Sequence, residues 1–283
     1  MIHIHNKNFN LAQIMDSGQC FRMNQVKPEV YDIYASDRYV RIRKDSEGYM
    51  LDCDQSAFDR FWKNYFDLET DYASYIQAID PEDTYLSAAA AYGSGIRILR
   101  QDLWEMIITF LISQQNNIVR IRGCIQRLCE HYGALCTDSS GSVYRAFPTP
   151  EALAGAGEDA LRTLRLGYRS KYIDKTAKAV TSGVFDMAAV SRLPYKEARQ
   201  ALIGLCGVGE KVADCICLFG LHHMEAFPVD THIRKVLSKQ YNGSFKADRY
   251  QGFQGLIQQY IFYYDLKGLS YGISDAISVK APS

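Results

Sequence analysis

The spacing of apolar residues changes character near residue 54 of the chain. From residue 20 to residue 54, short β-rich runs alternate with polar, glycine or proline breaks. The runs cover residues 20–23, 30–35, 38–43 and 49–53. Runs of this length, separated by turn-forming residues, predict an antiparallel meander.

Helical spacing dominates from residue 55 onward. Apolar positions recur every three or four residues in 58–65, 82–92, 103–112, 118–132, 150–154, 159–164 and 170–181, and again in a final helix at about 248–266. The sequence therefore predicts an α+β protein. An N-terminal antiparallel β-sheet domain, residues 1–95, is followed by a helical bundle, residues 96–283.

Two further helices meet at a glycine-rich turn. They are predicted over 195–206 and 209–220, because apolar residues keep helical spacing on both sides of Gly207-Val208-Gly209. Glycines adopt positive φ and lack a β-carbon, so the backbone N–H groups of the turn can point at an anion before the positive end of the second helix. An ordinary tight helix–helix connection is the alternative for the turn alone.

A lysine lies in the first turn of the second of these helices. The helix dipole and partial burial both disfavour a charged ammonium on Lys211, so we expect its pKa to be lowered. A neutral amine is a nucleophile. The alternative is a solvated lysine without a role. A positive side chain is unfavourable at this end of a helix, which favours the functional interpretation.

A carboxylate occupies the start of the next predicted helix. Asp230 lies in the run Pro-Val-Asp-Thr-His, directly before apolar positions at helical spacing, and is well placed to be an N-cap. Capping and catalysis are compatible roles. A carboxylate that is oriented by its own helix can also face a neighbouring reaction centre.

Composition and charge limit the class of protein. The 283 residues are 47% hydrophobic, without a run of eighteen apolar residues that would suggest a membrane span. No secretion signal is recognisable, so we expect an intracellular protein, in the cytoplasm or nucleoid if the source is bacterial. Net charge is zero, but residues 162–178 carry six bases against one acid. This basic run is either a solvated helix face or a surface for nucleic-acid phosphates.

Five motifs in this order resemble the helix-hairpin-helix DNA glycosylases, and within them the eukaryotic-type 8-oxoguanine DNA glycosylases. They are residues 17–22 (SGQCFR), 113–120 (SQQNNIVR), 166–169 (LGYR), 202–217 with Pro228-Val229-Asp230, and 255–262 (GLIQQYIF). The resemblance implies base-excision repair: 8-oxoguanine, preferably opposite cytosine, is flipped out of duplex DNA and excised through a lysine Schiff base. Strand cleavage by β-elimination follows, which makes the enzyme a bifunctional N-glycosylase and AP lyase.

The same resemblance implies roles for individual residues in catalysis and base recognition. Lys211 is the implied nucleophile, and Asp230 stabilises the developing positive charge of the sugar. The backbone carbonyl of Gly18, in the N-terminal domain, accepts the N7–H that 8-oxoguanine has and guanine lacks. The purine is sandwiched and its Watson–Crick edge is read by three further residues, Cys215, Phe262 and Gln258.

Further implied contacts involve the opposite strand. Tyr168 is the wedge beside the lesion, and Arg120 and Arg169 read the orphaned cytosine, whose O2 and N3 accept from arginine donors. Gln115 stands where the eukaryotic enzymes have an Asn. This departure leaves the contact with the opposite base, and hence the opposite-base preference, open.

Phosphate contacts and cofactors are also implied by the resemblance. His232 contacts one phosphate near the site, and Gly207, Val208 and Gly209 hold another through a bound monovalent cation. No cysteine lies beyond Cys217, whereas the iron–sulfur branch of the superfamily carries its cysteine loop after the catalytic Asp, so no cluster is expected. A zinc site is not expected either, because Cys124, Cys129, His131 and Cys136 fit no common finger spacing.

Two other functions remain open at this point. One is a glycosylase for alkylated bases that uses Asp230 alone, with water as the nucleophile. The other is a non-catalytic helix-hairpin-helix DNA-binding protein. Lys211 and Gly18 favour the 8-oxoguanine interpretation over both. The expected partner is double-stranded DNA containing oxidised guanine, bound by a monomer that does not associate with membranes.

Overall fold

The N-terminal part of the chain forms a five-stranded antiparallel sheet. A computed structural model describes residues 1–138 and 141–269. The strands follow the spatial order β1-β5-β4-β3-β2. They are β1 Ile2–Ile4, β2 Met23–Lys27, β3 Val30–Ala35, β4 Arg38–Lys44 and β5 Tyr49–Leu51. The predicted antiparallel meander is confirmed, but the run predicted at 20–23 coincides with β2 only at Met23. Strand β1 was not predicted, because three residues are too few for alternation to register.

One face of this sheet is buried under the first helix. Ile33 of β3 pairs with Val40 of β4, and both side chains are buried. Helix α1, Leu11–Asp16, begins at Asn10, whose side chain accepts a hydrogen bond from the backbone of Gln13. The apolar side of α1 lies in the same cluster as the sheet. A sheet with one covered face produces the alternation seen in the sequence.

The remainder of the described chain is helical apart from one short hairpin. After α1, the helices are α2 Gln55–Ala57, α3 Lys63–Tyr65, α4 Tyr72–Gln77, α5 Thr84–Tyr92, α6 Leu103–Ser113, α7 Ile118–Tyr132, α8 Pro150–Leu161, α9 Arg169–Thr181, α10 Met187–Val190, α11 Tyr195–Ile203, α12 Glu210–Gly220, α13 Thr231–Tyr241 and α14 Gln254–Leu266. The hairpin consists of β6 Leu135–Thr137 and β7 Val143–Arg145. The predicted α+β class is confirmed.

Several boundaries differ from those predicted. A π-helical turn, Phe58–Trp62, separates α2 from α3, and a second, Arg162–Leu166, follows α8. Helix α8 joins the two segments predicted at 150–154 and 159–164, with a kink where Gly157 has φ 76°. The final helix begins later than predicted, because a 3-10 turn over Ala247–Tyr250 precedes it. Spacing alone does not reveal where a backbone kinks.

The buried apolar side chains form two clusters. The first consists of residues 4–66 with Leu99, and the second of Phe21 with residues 72–263. The domain boundary between residues 95 and 96 stays a prediction. The last fourteen residues of the second predicted domain, 270–283, lie outside the described residues. In the described ranges, no helix is both long and apolar enough to cross a membrane.

A buried carboxylate connects the two clusters. Asp67 is 4% exposed and accepts hydrogen bonds from the hydroxyl of Tyr72 (2.9 Å) and Nε of Arg100 (2.8 Å). Thr70 Oγ1 also donates to it (3.0 Å), and Nε2 of His222, just beyond the end of α12, lies 3.4 Å away. Burial raises the pKa of Asp67, but His222 and Arg100 outweigh it and lower the pKa to about 2. The charged carboxylate therefore stabilises the fold.

Replacing Asp67 with Asn should lower stability at neutral pH and flatten its acid dependence. A carboxyl whose pKa is lower in the folded state contributes stability that is present above the unfolded pKa and lost as pH falls toward 2. The shift corresponds to about 2 kcal/mol. Urea unfolding between pH 2 and 7 measures it. Asp37→Asn, at a side chain 69% exposed, is the control and should change little; equal losses in both variants would contradict the network's role.

Candidate active site

The glycine-rich turn between α11 and α12 is shaped by its neighbours. Gly207 has φ 85°, and a β-carbon there would lie 2.5 Å from the ring of Tyr172 on α9. Gly209 is the N-cap of α12 and has no side chain to bond the free N–H groups of the first turn. These N–H groups and the positive end of the helix dipole form a site suited to a phosphate. The predicted helical hairpin, in which Gly207-Val208-Gly209 connects α11 to α12 (hereafter the hairpin), is therefore present.

Two adjoining cavities open beside the hairpin. The outer cavity has a volume of about 690 Å³ and the inner one about 50 Å³. Five residues line both: Gly18, Phe110, Lys211, Asp230 and Phe262. The structure therefore brings together the implied nucleophile, the implied carboxylate and the implied recognition glycine, although they come from distant parts of the sequence. The inner cavity alone is far below the roughly 300 Å³ typical of small-molecule pockets, whereas the outer cavity lies within the usual range.

The electrostatic environment of Lys211 differs from the sequence-based expectation. The pKa of Lys211 is raised, first by the Coulombic effect of the thiolate form of Cys215 and then by Asp230, while burial acts in the opposite direction. The expected lowering was wrong, because it considered the helix dipole and burial without these two neighbours. Burial raises the pKa of the Cys215 thiol. The amine is therefore protonated at neutral pH and must lose a proton before it attacks a substrate.

Asp230 has the dual placement that the sequence suggested. Its Oδ1 accepts a hydrogen bond from the backbone N–H of Ile233 (2.8 Å), which makes it the N-cap of α13. The same side chain lines both cavities beside Lys211. The N-cap hydrogen bond fixes the orientation of the carboxylate, so this group is held rigidly at the site.

Gly18 is held in place by its neighbour Gln19. The Gln19 amide is completely buried and donates to the Arg97 carbonyl (2.9 Å), while its Oε1 accepts from the backbone N–H of Leu99 (2.9 Å). Gly18 itself has φ 76°, and a β-carbon there would lie 3.1 Å from Phe262. Sequence reasoning missed Gln19, because the partners of its amide on residues 97 and 99 are brought to it only by the fold.

The other base-pocket residues surround the inner cavity. Cys215, Gln258 and Phe262 all line it. Gln258 is 4% exposed, and its Oε1 accepts a hydrogen bond from Nε2 of Gln259 (3.1 Å). A ring in this space meets an aromatic surface, a thiol and an amide. These groups suit a flat heterocycle with polar edges.

Of the four residues implied for the opposite strand, Arg120 lines the outer cavity, whereas Gln115, Tyr168 and Arg169 do not. Gln115 is exposed and has φ 46°, a backbone conformation that is uncommon for residues other than glycine. Tyr168 is 45% exposed. Arg120 is exposed and lines the outer cavity. Arg169, in contrast, is buried, and its guanidinium lies 4.6 Å from the ring centre of Tyr168.

The donors of Arg169 are engaged by backbone carbonyls. Nε and Nη2 donate to the Gln114 carbonyl, Nη2 also donates to the Gln115 carbonyl (3.1 Å), and Nη1 donates to Leu166 (3.3 Å). The Gln114 side chain donates to the Gly207 carbonyl (3.0 Å). Gln114 therefore joins the hairpin to the opposite-strand residues. Sequence reasoning missed it, because its partners are more than fifty positions away.

His232 lies at the entrance and is paired with a buried acid. Its Nδ1 is 3.1 Å from Oδ2 of Asp265, and its ring meets Phe262 edge-on at 5.9 Å. His232 is half-exposed, whereas Asp265 is buried. The half-exposed ring is accessible to a phosphate. Asp265 was not singled out from the sequence.

Among the basic side chains of residues 162–178, some form ion pairs and others are exposed on α9. Arg162 and Lys178 form ion pairs with Glu158 and Asp174 on their own helical segments. Lys171 and Lys175 are exposed on α9, the helix whose Tyr172 supports the hairpin.

Comparisons with known proteins decide the family. Residues 1–107 match the model of the 8-oxoguanine DNA glycosylase N-terminal domain, and residues 108–251 match that of the HhH-GPD superfamily of base excision DNA repair proteins. The chain belongs to the 8-oxoguanine DNA glycosylase family. The resemblance stated from the five motifs is thereby confirmed.

Relatives of this glycosylase family cover most of the chain. The N-glycosylase/DNA lyase of Saccharomyces cerevisiae is 33% identical over 84% of this chain and 70% of its own length. The N-glycosylase/DNA lyase OGG1 of Arabidopsis thaliana is 30% identical over 78% of this chain, but the chain spans only 63% of that relative. The 8-oxoguanine glycosylase/lyase of Clostridium acetobutylicum, in complex with duplex DNA containing cytosine opposite 8-oxoG, has a TM-score of 0.86 and 31% identity. It covers 95% of this chain, which covers 98% of it.

Binding of a metal ion depends on which side chains and carbonyls of this chain lie close together. Across residues 1–138 and 141–269, the structure contains no cluster of three His, Cys, Asp or Glu side chains arranged for a metal ion. All eight cysteines are free thiols. The monovalent cation implied for the hairpin would be held by backbone carbonyls, which are hard oxygen ligands. The Gly207 carbonyl accepts a hydrogen bond from Gln114, which occupies one of the two lone pairs of its oxygen.

Proposed function

We propose that this protein excises 8-oxoguanine from duplex DNA and then cleaves the strand at the resulting site. The observation that carries the proposal is the joint lining of two adjoining cavities by Gly18, Lys211, Asp230 and Phe262. Lysine and carboxylate supply the chemistry, while the glycine and the aromatic ring supply a place for the base.

The chemistry begins with the loss of a proton from Lys211. Its neutral amine then attacks the sugar C1′, the N-glycosidic bond breaks, and its electron pair leaves with the base, which is protonated. Asp230 stabilises the positive charge that develops on the sugar. Ring opening of the sugar yields a Schiff base to Lys211. Loss of a proton from C2′ then expels the 3′ phosphate by β-elimination.

Discrimination against guanine is assigned to the Gly18 carbonyl. The carbonyl accepts the N7–H of 8-oxoguanine, whereas guanine presents a lone pair at N7 and leaves the carbonyl facing another acceptor. The anchoring of Gln19 to Arg97 and Leu99 holds this segment rigid. A rigid carbonyl cannot turn away from the wrong base.

Reading of the opposite base is assigned first to Arg120. Tyr168 is assigned as the wedge, and Gln115 as the residue that enters the vacated stack. Arg120 is exposed at the rim of the outer cavity. Arg169 reads the orphaned cytosine only after it gives up hydrogen bonds to Gln114 and Gln115. His232 and the hairpin hold phosphates of the damaged strand, with a monovalent cation at the hairpin. The protein acts as an intracellular monomer without an iron–sulfur cluster.

Borohydride trapping across a panel of duplexes tests the proposed function. We expect a covalent protein–DNA complex with 8-oxoguanine opposite cytosine and none with undamaged guanine, because borohydride reduces a Schiff base to a stable bond. Strand cleavage of the same duplexes is measured in parallel. Removal of 3-methyladenine but not 8-oxoguanine would indicate the alkylated-base enzyme. Binding without cleavage of any duplex would indicate a non-catalytic DNA-binding protein.

A further inference from the structure

Two consecutive glutamines of α14 form a buried amide pair at the inner cavity. Gln258 and Gln259 both line this cavity and are 4% and 3% exposed. Nε2 of Gln259 donates a hydrogen bond to Oε1 of Gln258 (3.1 Å). We propose that Gln259 is a positioning residue that fixes the orientation of the Gln258 amide and so selects purines with a carbonyl at C6. The assignment deepens the proposed function and rests on it.

The direction of this hydrogen bond decides which groups of Gln258 face a bound base. Because Oε1 is engaged by Gln259, the two N–H donors of Gln258 remain for the ligand. A purine with a carbonyl at C6, such as 8-oxoguanine, offers an acceptor to these donors. A purine with an amino group at C6, such as 8-oxoadenine, brings two N–H donors to the position of O6 and offers an acceptor only at the neighbouring N1. The second arrangement leaves buried donors unpaired, which costs more than a lost hydrogen bond.

The reverse orientation of the amide pair is disfavoured by its surroundings. Turning Gln258 alone would place its NH2 group against the NH2 group of Gln259. Turning both amides would restore the hydrogen bond between them, but it would exchange the positions of Oε1 and Nε2 in Gln259. Oε1 of Gln259 is buried without a hydrogen-bond partner among the described residues. An NH2 group in that position would leave two donors unpaired instead of one acceptor, and buried unpaired N–H groups are the rarer case.

Two substitutions of Gln259 separate positioning from simple packing. Gln259→Met keeps the length and volume of the side chain but removes the donor, so the Gln258 amide becomes free to turn. Gln259→Glu introduces a carboxylate that only accepts, so Gln258 must turn its NH2 group toward it and present Oε1 to the base. Loss of packing alone would affect both bases equally. A change of orientation changes their ratio.

The experiment compares single-turnover excision of 8-oxoguanine and 8-oxoadenine, each opposite cytosine, at pH 8. Both lesions carry N7–H, so they present the same group to Gly18 and differ at the Watson–Crick edge. We expect the preference for 8-oxoguanine to fall about tenfold in Gln259→Met, the worth of one neutral hydrogen bond. In Gln259→Glu we expect it to fall further. Trapping on a duplex with a preformed abasic site should be unchanged in both, since no base is read.

The matched control is Gln254→Met on the same helix. Gln254 is 8% exposed, but its Oε1 accepts from the backbone N–H of Gly252 and it lines neither cavity. The preference should be unchanged there. If folded Gln259→Met and Gln259→Glu keep the wild-type preference, the assignment is overturned while the proposed function stands. If the wild type removes neither base, the proposed function fails and the assignment fails with it.

Discussion

Replacing Lys211 with glutamine is expected to abolish borohydride trapping and to slow base excision by roughly a thousandfold or more. The substitution keeps a polar side chain of similar reach but removes the amine that forms the Schiff base. DNA binding should persist, because the phosphate contacts proposed for the hairpin come from backbone groups before α12 and not from the Lys211 side chain. Gel shifts on an uncleaved duplex measure binding, and denaturing gels measure excision and trapping.

The matched control for this substitution is Lys196→Gln. Lys196 is exposed near the start of α11, at the end of that helix remote from the hairpin. Its replacement should leave excision and trapping unchanged. Continued trapping by Lys211→Gln would assign the nucleophile to another residue and contradict the catalytic role.

The raised pKa of Lys211 adds a pH dependence to the same assay. The reactive form is the neutral amine, and its fraction increases with pH and levels off only above the folded pKa. Because Cys215 and Asp230 raise that pKa, the single-turnover rate of the wild type should climb through the neutral range and continue into the alkaline range. A single-turnover rate that no longer changes with pH below neutrality would indicate that Lys211 loses its proton at a much lower pH than its raised pKa implies.

Replacing Gly18 with alanine should reduce excision of 8-oxoguanine by roughly a hundredfold. The position has φ 76°, which a β-carbon disfavours, and the added atom would lie 3.1 Å from Phe262 at the cavity wall. Either the loop or the ring must shift, so the base no longer meets the carbonyl in register. Trapping on a preformed abasic site should remain, since no purine has to enter.

Gly183→Ala provides a control with the same backbone strain. Gly183 has φ 75°, and a β-carbon there would meet no atom within 4 Å. It lies just past the end of α9, away from both cavities. We expect lower thermal stability but normal excision. If both glycine variants lose excision in parallel with stability, the loss reflects strain and not obstruction of the pocket.

The sequence predicted the parts of the site that local spacing encodes. The hairpin glycines, Lys211 in a first helical turn and Asp230 as an N-cap are all determined by neighbouring residues. The role of Gln114 could not be predicted, because its carbonyl and its amide reach partners on two other elements. The pKa of Lys211 was predicted in the wrong direction for the same reason. Its sign depends on side chains that only the folded chain brings together.

The secondary structure likewise contains elements that the sequence predicts and elements that it does not. Helices such as α6 and α7, with eleven and fifteen residues, repeat the apolar pattern often enough to be recognised. Helix α10 has four residues and β1 three, so neither completes a pattern. The kink at Gly157 depends on one backbone angle.

Helix α12 has functional contacts at both ends. Its start faces the phosphate site, and the residues just past its end reach Asp67 through His222. Eleven helical residues form a stiff rod of about 16 Å. One rigid element therefore holds the phosphate site and the buried Asp67 at a fixed separation, so a displacement at either end of α12 also displaces the other.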